Sequence, residues 1–252
     1  SHSYLADNGY IPGLIVYASN GCFDTSFQNA KVYPHPGSDF TIGAPGTGQC
    51  VNNNNFTFNN NTFIAEGGFT NRWYFGDGSA FVTALSATKK YTKDSTYTVR
   101  VVSISDQGCT DTAEKTVIVY PKAKTNFTIG STPQCILGNK FNYVSSTTIK
   151  SGTYTLNWQY GDGLTAGNVN STSHNYSNVQ NYNVRLFSTS NFGCLDTVTK
   201  QIKTLPMPNA GFTYNYDQKC LKGNDFQFST NSTVSNGTPM NHNWFYGDND
   251  ST

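Results

Sequence analysis

Along residues 97–101 the chain reads Tyr-Thr-Val-Arg-Val, and along 182–186 it reads Tyr-Asn-Val-Arg-Leu. Tyr97, Val99 and Val101, like Tyr182, Val184 and Leu186, fall on one side of a period of two. Thr98, Arg100, Asn183 and Arg185 fall on the other. That alternation predicts half-buried β-strands. Phe141/Tyr143 and Val117/Val119 continue it, and the runs are separated by turn signals at Leu137-Gly-Asn139, Gly161-Asp-Gly163 and Asn191-Phe-Gly193. About seven short strands in each such stretch, with one tryptophan on the third, predict an antiparallel immunoglobulin-like sandwich. The fold class expected is all-β.

The strands recur in register. Trp73-Tyr-Phe-Gly-Asp77-Gly, Trp158-Gln-Tyr-Gly-Asp162-Gly and Trp244-Phe-Tyr-Gly-Asp248-Asn place their tryptophans 85 and 86 residues apart. Tyr10, Tyr97 and Tyr182 each precede a Cys-x-Asp-Thr motif, which begins at Cys22, Cys109 and Cys194. Pro34, Pro121 and Pro206 follow, then Phe40, Phe127 and Phe212. After those come a second cysteine (Cys50, Cys135, Cys220) and an aromatic pair (Phe56/Phe58, Phe141/Tyr143, Phe226/Phe228). A period of this length is one small domain repeated. The register divides the chain into the back half of a repeat at 1–35, whole repeats at 36–121 and 122–207, and a front half at 208–252. The three tryptophans are expected at the sandwich centres, and Asp77, Asp162 and Asp248 as turn residues that cap backbone amides. Short proline-bearing connectors such as Thr204-Leu-Pro206-Met-Pro208 predict a fairly rigid rod.

Composition narrows the function. Only 12% of residues are charged and the net charge is +1, which gives no electrostatic footprint for nucleic acid or an anionic membrane. No apolar run is long enough for a membrane span. No paired carboxylates, nucleophile motif or phosphate-cradling glycine loop stands out, and His2, His35, His174 and His242 are scattered. No enzyme, cofactor or metal is expected.

The motif Trp-x-Tyr/Phe-Gly-Asp-Gly, then His174-x-Tyr176, Tyr182-x-Val-x-Leu and Gly-Cys-x-Asp-Thr resembles the polycystic kidney disease (PKD) repeat over the whole chain. Lys89 and Asn249 depart from the pattern, replacing its histidine and its second glycine. In its two cysteines per repeat the chain is similar to cell-surface arrays of Bacteroidetes-type bacteria, including gliding-motility adhesins and other cargo of type IX secretion. The resemblance implies an extracellular, cell-surface location and a structural or adhesive role. It also implies O-glycosylation at Ser95, Thr112, Thr197 and Ser251, because Asp94-Ser-Thr, Asp111-Thr-Ala, Asp196-Thr-Val and Asp250-Ser-Thr resemble the acceptor motif of such bacteria. The alternative for Asp-Thr is that it merely begins the last strand of each repeat.

Six cysteines also point to an oxidising compartment. Cys50 and Cys109 are 59 residues apart, as are Cys135 and Cys194, which suggests one bridge within each repeat: Cys50–Cys109, Cys135–Cys194, and Cys220 with Cys22 of the next chain. Each loop would be worth roughly 4 kcal/mol. The rival scheme pairs neighbours across linkers as Cys22–Cys50, Cys109–Cys135 and Cys194–Cys220. The partial repeats at 1–35 and 208–252 suggest either a window on a longer array or copies that complete a split sandwich head to tail. The function expected is a non-catalytic subunit or segment of a surface filament or adhesin. Its partners would be its own copies or neighbouring repeats, and surface polysaccharide. The alternative is a carbohydrate-binding accessory module of a secreted hydrolase, with Tyr214 and Tyr216 as the rings that would stack on sugars.

Overall fold

The computed structural model describes residues 1–215, 220–235 and 237–247. Asp248, Ser251 and Tyr216 lie outside them. Every regular element among the described residues is a β-strand.

Two compact units form: residues 1–122 with 192–194, and residues 123–191 with 195–252. The first opens with β1 (Asn8–Tyr10), β2 (Gly13–Tyr17), β3 (Phe23–Phe27) and β4 (Ala30–Val32). It continues with β5 (Phe40–Ile42), β6 (Gly48–Cys50), β7 (Phe56–Asn60), β8 (Phe69–Tyr74), β9 (Val82–Thr83), β10 (Ala87–Lys89), β11 (Ser95–Ser105) and β12 (Thr110–Tyr120). The second contains β13 (Phe127–Ile129), β14 (Gln134–Cys135), β15 (Phe141–Ser145), β16 (Tyr154–Gln159), β17 (Thr165–Gly167), β18 (Ser171–His174), β19 (Asn181–Ser190) and β20 (Leu195–Leu205). Among the described residues the second unit ends with β21 (Phe212–Tyr214) and β22 (Phe228–Thr230).

Each whole repeat is a sandwich. In the first, a three-stranded sheet β10-β7-β5 faces a five-stranded sheet β6-β12-β11-β8-β9, and the second repeats this as β13-β15-β18 against β14-β20-β19-β16-β17. The opening segment of each repeat changes sheets. β5 pairs antiparallel with β7, and β6 then pairs parallel with β12, so that Cys50 lies beside Tyr120. Cys135 lies beside Leu205 in the same way.

The alternation read from the sequence is the burial pattern. Val99, Val101, Val184 and Leu186 are fully buried, and Trp73 and Trp158 sit at the centres with no exposed surface. Around Trp73 pack Phe40 edge-on at 5.2 Å and Phe58 stacked at 6.0 Å. Phe127 and Tyr143 take those places around Trp158, at 5.1 and 5.8 Å. Edge-to-face contacts of this kind add to the hydrophobic gain of burial. Each indole N–H donates 2.9 Å to a backbone carbonyl, Ala84 for Trp73 and Val169 for Trp158, so neither polar atom is orphaned.

Candidate functional site

The recurrent Gly-Asp turn is the first candidate. Gly76 and Gly161 adopt φ of 75° and 87°. A Cβ at either would lie 2.6 Å from Thr98 O or 2.8 Å from Asn183 O, so glycine is required twice over. Asp77 Oδ1 then accepts hydrogen bonds from the Ser79 amide at 3.1 Å and its hydroxyl at 2.6 Å, and Asp162 Oδ1 accepts from the Leu164 amide at 3.0 Å. The second carboxylate oxygen is paired in both repeats: Lys89 Nζ stands 2.6 Å from Asp77, and His174 Nε2 stands 2.6 Å from Asp162. Lys89 thus fills the place of the histidine. Its ammonium lies 4.9 Å from the centre of the Phe75 ring, whereas the His174 ring stacks on Tyr160 at 4.1 Å. Burial pushes the Asp77 carboxyl up, but hydrogen bonds from Lys89 and Ser79 outweigh it and hold it below the usual carboxylate value. At Asp162 burial is likewise outweighed, by His174 and the Leu164 amide. Both carboxylates are consumed in holding turns. Among the described residues no cluster of three or more His, Cys, Asp or Glu side chains is placed to hold a metal ion.

A buried asparagine clamp lies beside each turn, and the sequence reading missed it. Asn54 Nδ2 donates to Val51 O at 3.0 Å and Tyr91 O at 2.8 Å, while its Oδ1 accepts from Tyr91 N at 2.7 Å. Asn139 makes the same three bonds with Ile136 and Tyr176 at 2.7, 2.8 and 2.7 Å. The signal was available: an asparagine stands two residues before each aromatic pair, at 54, 139 and 224. The hydroxyls of Tyr91 and Tyr176 donate to Phe75 O and Tyr160 O. Burial raises the phenol pKa of both, and pushes Tyr143 up to about 12, so these groups remain donors.

The Asp of Cys-x-Asp-Thr fastens the end of each repeat to its beginning. Asp111 Oδ2 accepts from the Ser38 amide at 2.6 Å and Asp196 Oδ2 from the Thr125 amide at 2.8 Å. The neighbouring hydroxyl residues Thr112 and Thr197 are exposed, as is Ser95.

The cysteines overturn the expected pairing. Cys50 bonds Cys194, 144 residues away, with 5.5 Å between their α-carbons. Cys50–Cys109 and Cys135–Cys194 do not form, and neither does the rival scheme for these residues. The reason lies in the ladder. Cys50 is level with Tyr120, the last residue of β12, whereas Cys109 immediately precedes its first residue. Eleven residues of extended strand span roughly 35 Å, and a disulfide needs α-carbons within about 7 Å. Cys194 instead arrives on the tip of the hairpin between β19 and β20, and that tip, 192–194, belongs to the first compact unit. There Phe192 stacks on Tyr120 at 4.5 Å and 6°, and Cys194 is fully buried. Cys22, Cys109, Cys135 and Cys220 are free thiols.

Neither a protein-family model nor a curated protein matches the chain. Solved structures do. The PKD1 domain of Vibrio anguillarum Epp is 23% identical, covering 34% of this chain and 93% of that domain with a TM-score of 0.29. The PKD1 domain of the Vibrio cholerae metalloprotease PrtV is 25% identical over 35% and 98%, also with a TM-score of 0.29. The fibronectin(III)-like modules of Clostridium thermocellum CbhA are 12% identical over 66% and 95%, with a TM-score of 0.30. The strand orders themselves give the fold, tandem immunoglobulin-like β-sandwiches.

Proposed function

We propose that this chain is a non-catalytic structural segment of an extracellular surface filament or adhesin, built of PKD-like repeats at 36–121 and 122–207 with partial repeats at 1–35 and 208–252. The observation that carries the reading is the Cys50–Cys194 bond: a covalent tie between repeats suits a protein whose work is to stay connected outside the cell. The use of Asp77, Asp162, Asp111 and Asp196 as structural fasteners in both repeats supports it too. Secretion of the type IX kind and O-glycosylation at the exposed Ser95, Thr112 and Thr197 belong to the same reading.

It extends to assembly. Leu14 and Val16 are 65% and 53% exposed, although their counterparts Val101 and Ser103 are fully buried. Phe226 and Phe228 are 43% and 37% exposed, where Phe56 and Phe58 are fully buried. The two partial repeats therefore present complementary core faces. In this reading each is covered by a neighbouring repeat or by a copy joined head to tail.

Electron microscopy of native material, with polysaccharide binding measured on the purified chain, tests this. Filaments of uniform width that carry no hydrolase domain are expected. Discrete particles carrying a hydrolase domain, with saturable binding, would establish the accessory-module alternative instead.

A further inference from the structure

The three hairpin-tip cysteines are presented alike. Each follows a glycine of positive φ: Gly21 at 88°, Gly108 at 81° and Gly193 at 79°. In the first two the tip is closed by matching backbone bonds, Ala18 N to Cys22 O at 2.8 Å and Ser105 N to Cys109 O at 2.9 Å. The cysteines of the opening segment are also alike. Val51 N donates to Tyr120 O at 3.0 Å, and Ile136 N donates to Leu205 O at 2.8 Å. Cys50 and Cys135 therefore sit on the same ledge in successive repeats. On the first ledge rests a hairpin tip, with Phe192 against Tyr120 and Cys194 bonded to Cys50. Beside the second, Cys135 is exposed and lines a largely apolar cleft of about 410 Å3 together with Leu205, Pro206, Pro208, Val234 and Met240.

We infer that the array carries one disulfide per junction, each joining the opening-segment cysteine of one repeat to the hairpin-tip cysteine of the next. Cys50–Cys194 is one rung. Cys135 then takes the hairpin thiol of the repeat that follows 122–207, and Cys109 takes the opening-segment thiol of the repeat that precedes 36–121. Between two copies joined head to tail the same rule pairs Cys135 with Cys22 and Cys220 with Cys109, replacing the Cys220–Cys22 bridge suggested by spacing alone. All four free thiols are then used. Each rung breaks two S–H bonds and forms one S–S bond. The two protons and two electrons go to a protein or small-molecule disulfide, whose S–S bond breaks to give two thiols. The rule rests on the repeat register and the formed bond, and holds whether the array is a filament or an accessory module.

Non-reducing peptide mapping of the full chain decides it, using mixed isotopically heavy and light copies oxidised with a glutathione disulfide buffer. Cys50–Cys194 peptides should be all-heavy or all-light, as a bond within one chain. Cys135–Cys22 and Cys220–Cys109 peptides should contain mixed pairs when copies supply the partner. Native material from a longer chain should instead link Cys135 to a hairpin-tip peptide of that same chain. In Cys109→Ser, Cys220 should stay a thiol while Cys135–Cys22 persists. Peptides joining Cys50 to Cys109 or Cys135 to Cys194 would overturn the rule. So would hairpin–hairpin pairs as abundant as hairpin–opening pairs, or four persistent thiols beside a complete Cys50–Cys194 bond.

Discussion

Trp158 shows how much one side chain can hold. It is fully buried, ringed by Phe127 and Tyr143, and its N–H is satisfied. Trp158→Ala should cost its sandwich about 3–5 kcal/mol, and Trp73→Ala should do the same to the other, because the cavity cannot collapse among rings on every side. Calorimetry should show one transition lowered by each substitution and the other left in place. The Gly-Asp turn separates two effects that both involve positive φ. Gly78→Ala, at φ 80° with open space around it, carries only the left-handed backbone cost of about 1 kcal/mol. Gly76→Ala adds a collision with Thr98 O and should be distinctly worse, which denaturant midpoints of the two variants will compare. The pair at Asp162 gives a pH signature. Its folded carboxyl lies below the ordinary value of about 4, so its contribution is present above that pH and is lost as pH falls through the folded value. His174→Ala should move acid unfolding of the second repeat to higher pH. His174→Lys should not, because Lys89 already performs that task at Asp77. Fluorescence-monitored acid titration reads both.

At the scale of elements, the asparagine clamp ties the loop after β6 to Tyr91, the second residue beyond β10, and ties the matching pair in the second repeat. Asn139→Ala would orphan the Tyr176 amide and two carbonyls, at about 1–3 kcal/mol for each group left dry. Hydrogen exchange at Tyr176 should rise selectively. The clamp was hard to read because the chain is crowded with asparagines, so only its recurrence before the aromatic pairs marks it. The strands were easy to read, since Tyr97, Val99 and Val101 must face a core if Thr98 and Arg100 face water. The cysteines were half legible. A periodic sequence gives the distance between two landmarks only modulo the repeat, and 144 equals 59 plus 85. Spacing therefore identified the two positions that bond, but not which repeats they come from. That depends on β6 changing sheets to run beside β12, which local alternation does not reveal.

For the whole molecule, the core clusters fall at 40–119 and 127–202, and neither contains the disulfide. The bond acts instead on the unfolded chain, closing a loop with a sequence separation of 144. Cys50→Ser should therefore cost about 5 kcal/mol of loop entropy, shared between both melting transitions in calorimetry, where each tryptophan variant lowers one. The bond matters under load. Tension carried along the backbone to Cys50 passes directly through sulfur to Cys194, so residues 51–193 lie in a bypassed loop. Even if both sandwiches tore open, a pulled chain would be denied roughly 500 Å of slack that those residues would otherwise release. A protease cutting once anywhere between Val51 and Gly193 would leave a single covalent molecule. With a rung at each junction, the loop opening at Cys135 begins before the loop closing at Cys194 has ended. The strand of peptide then becomes overlapping links, in which no single cut along the interlocked stretch parts the chain.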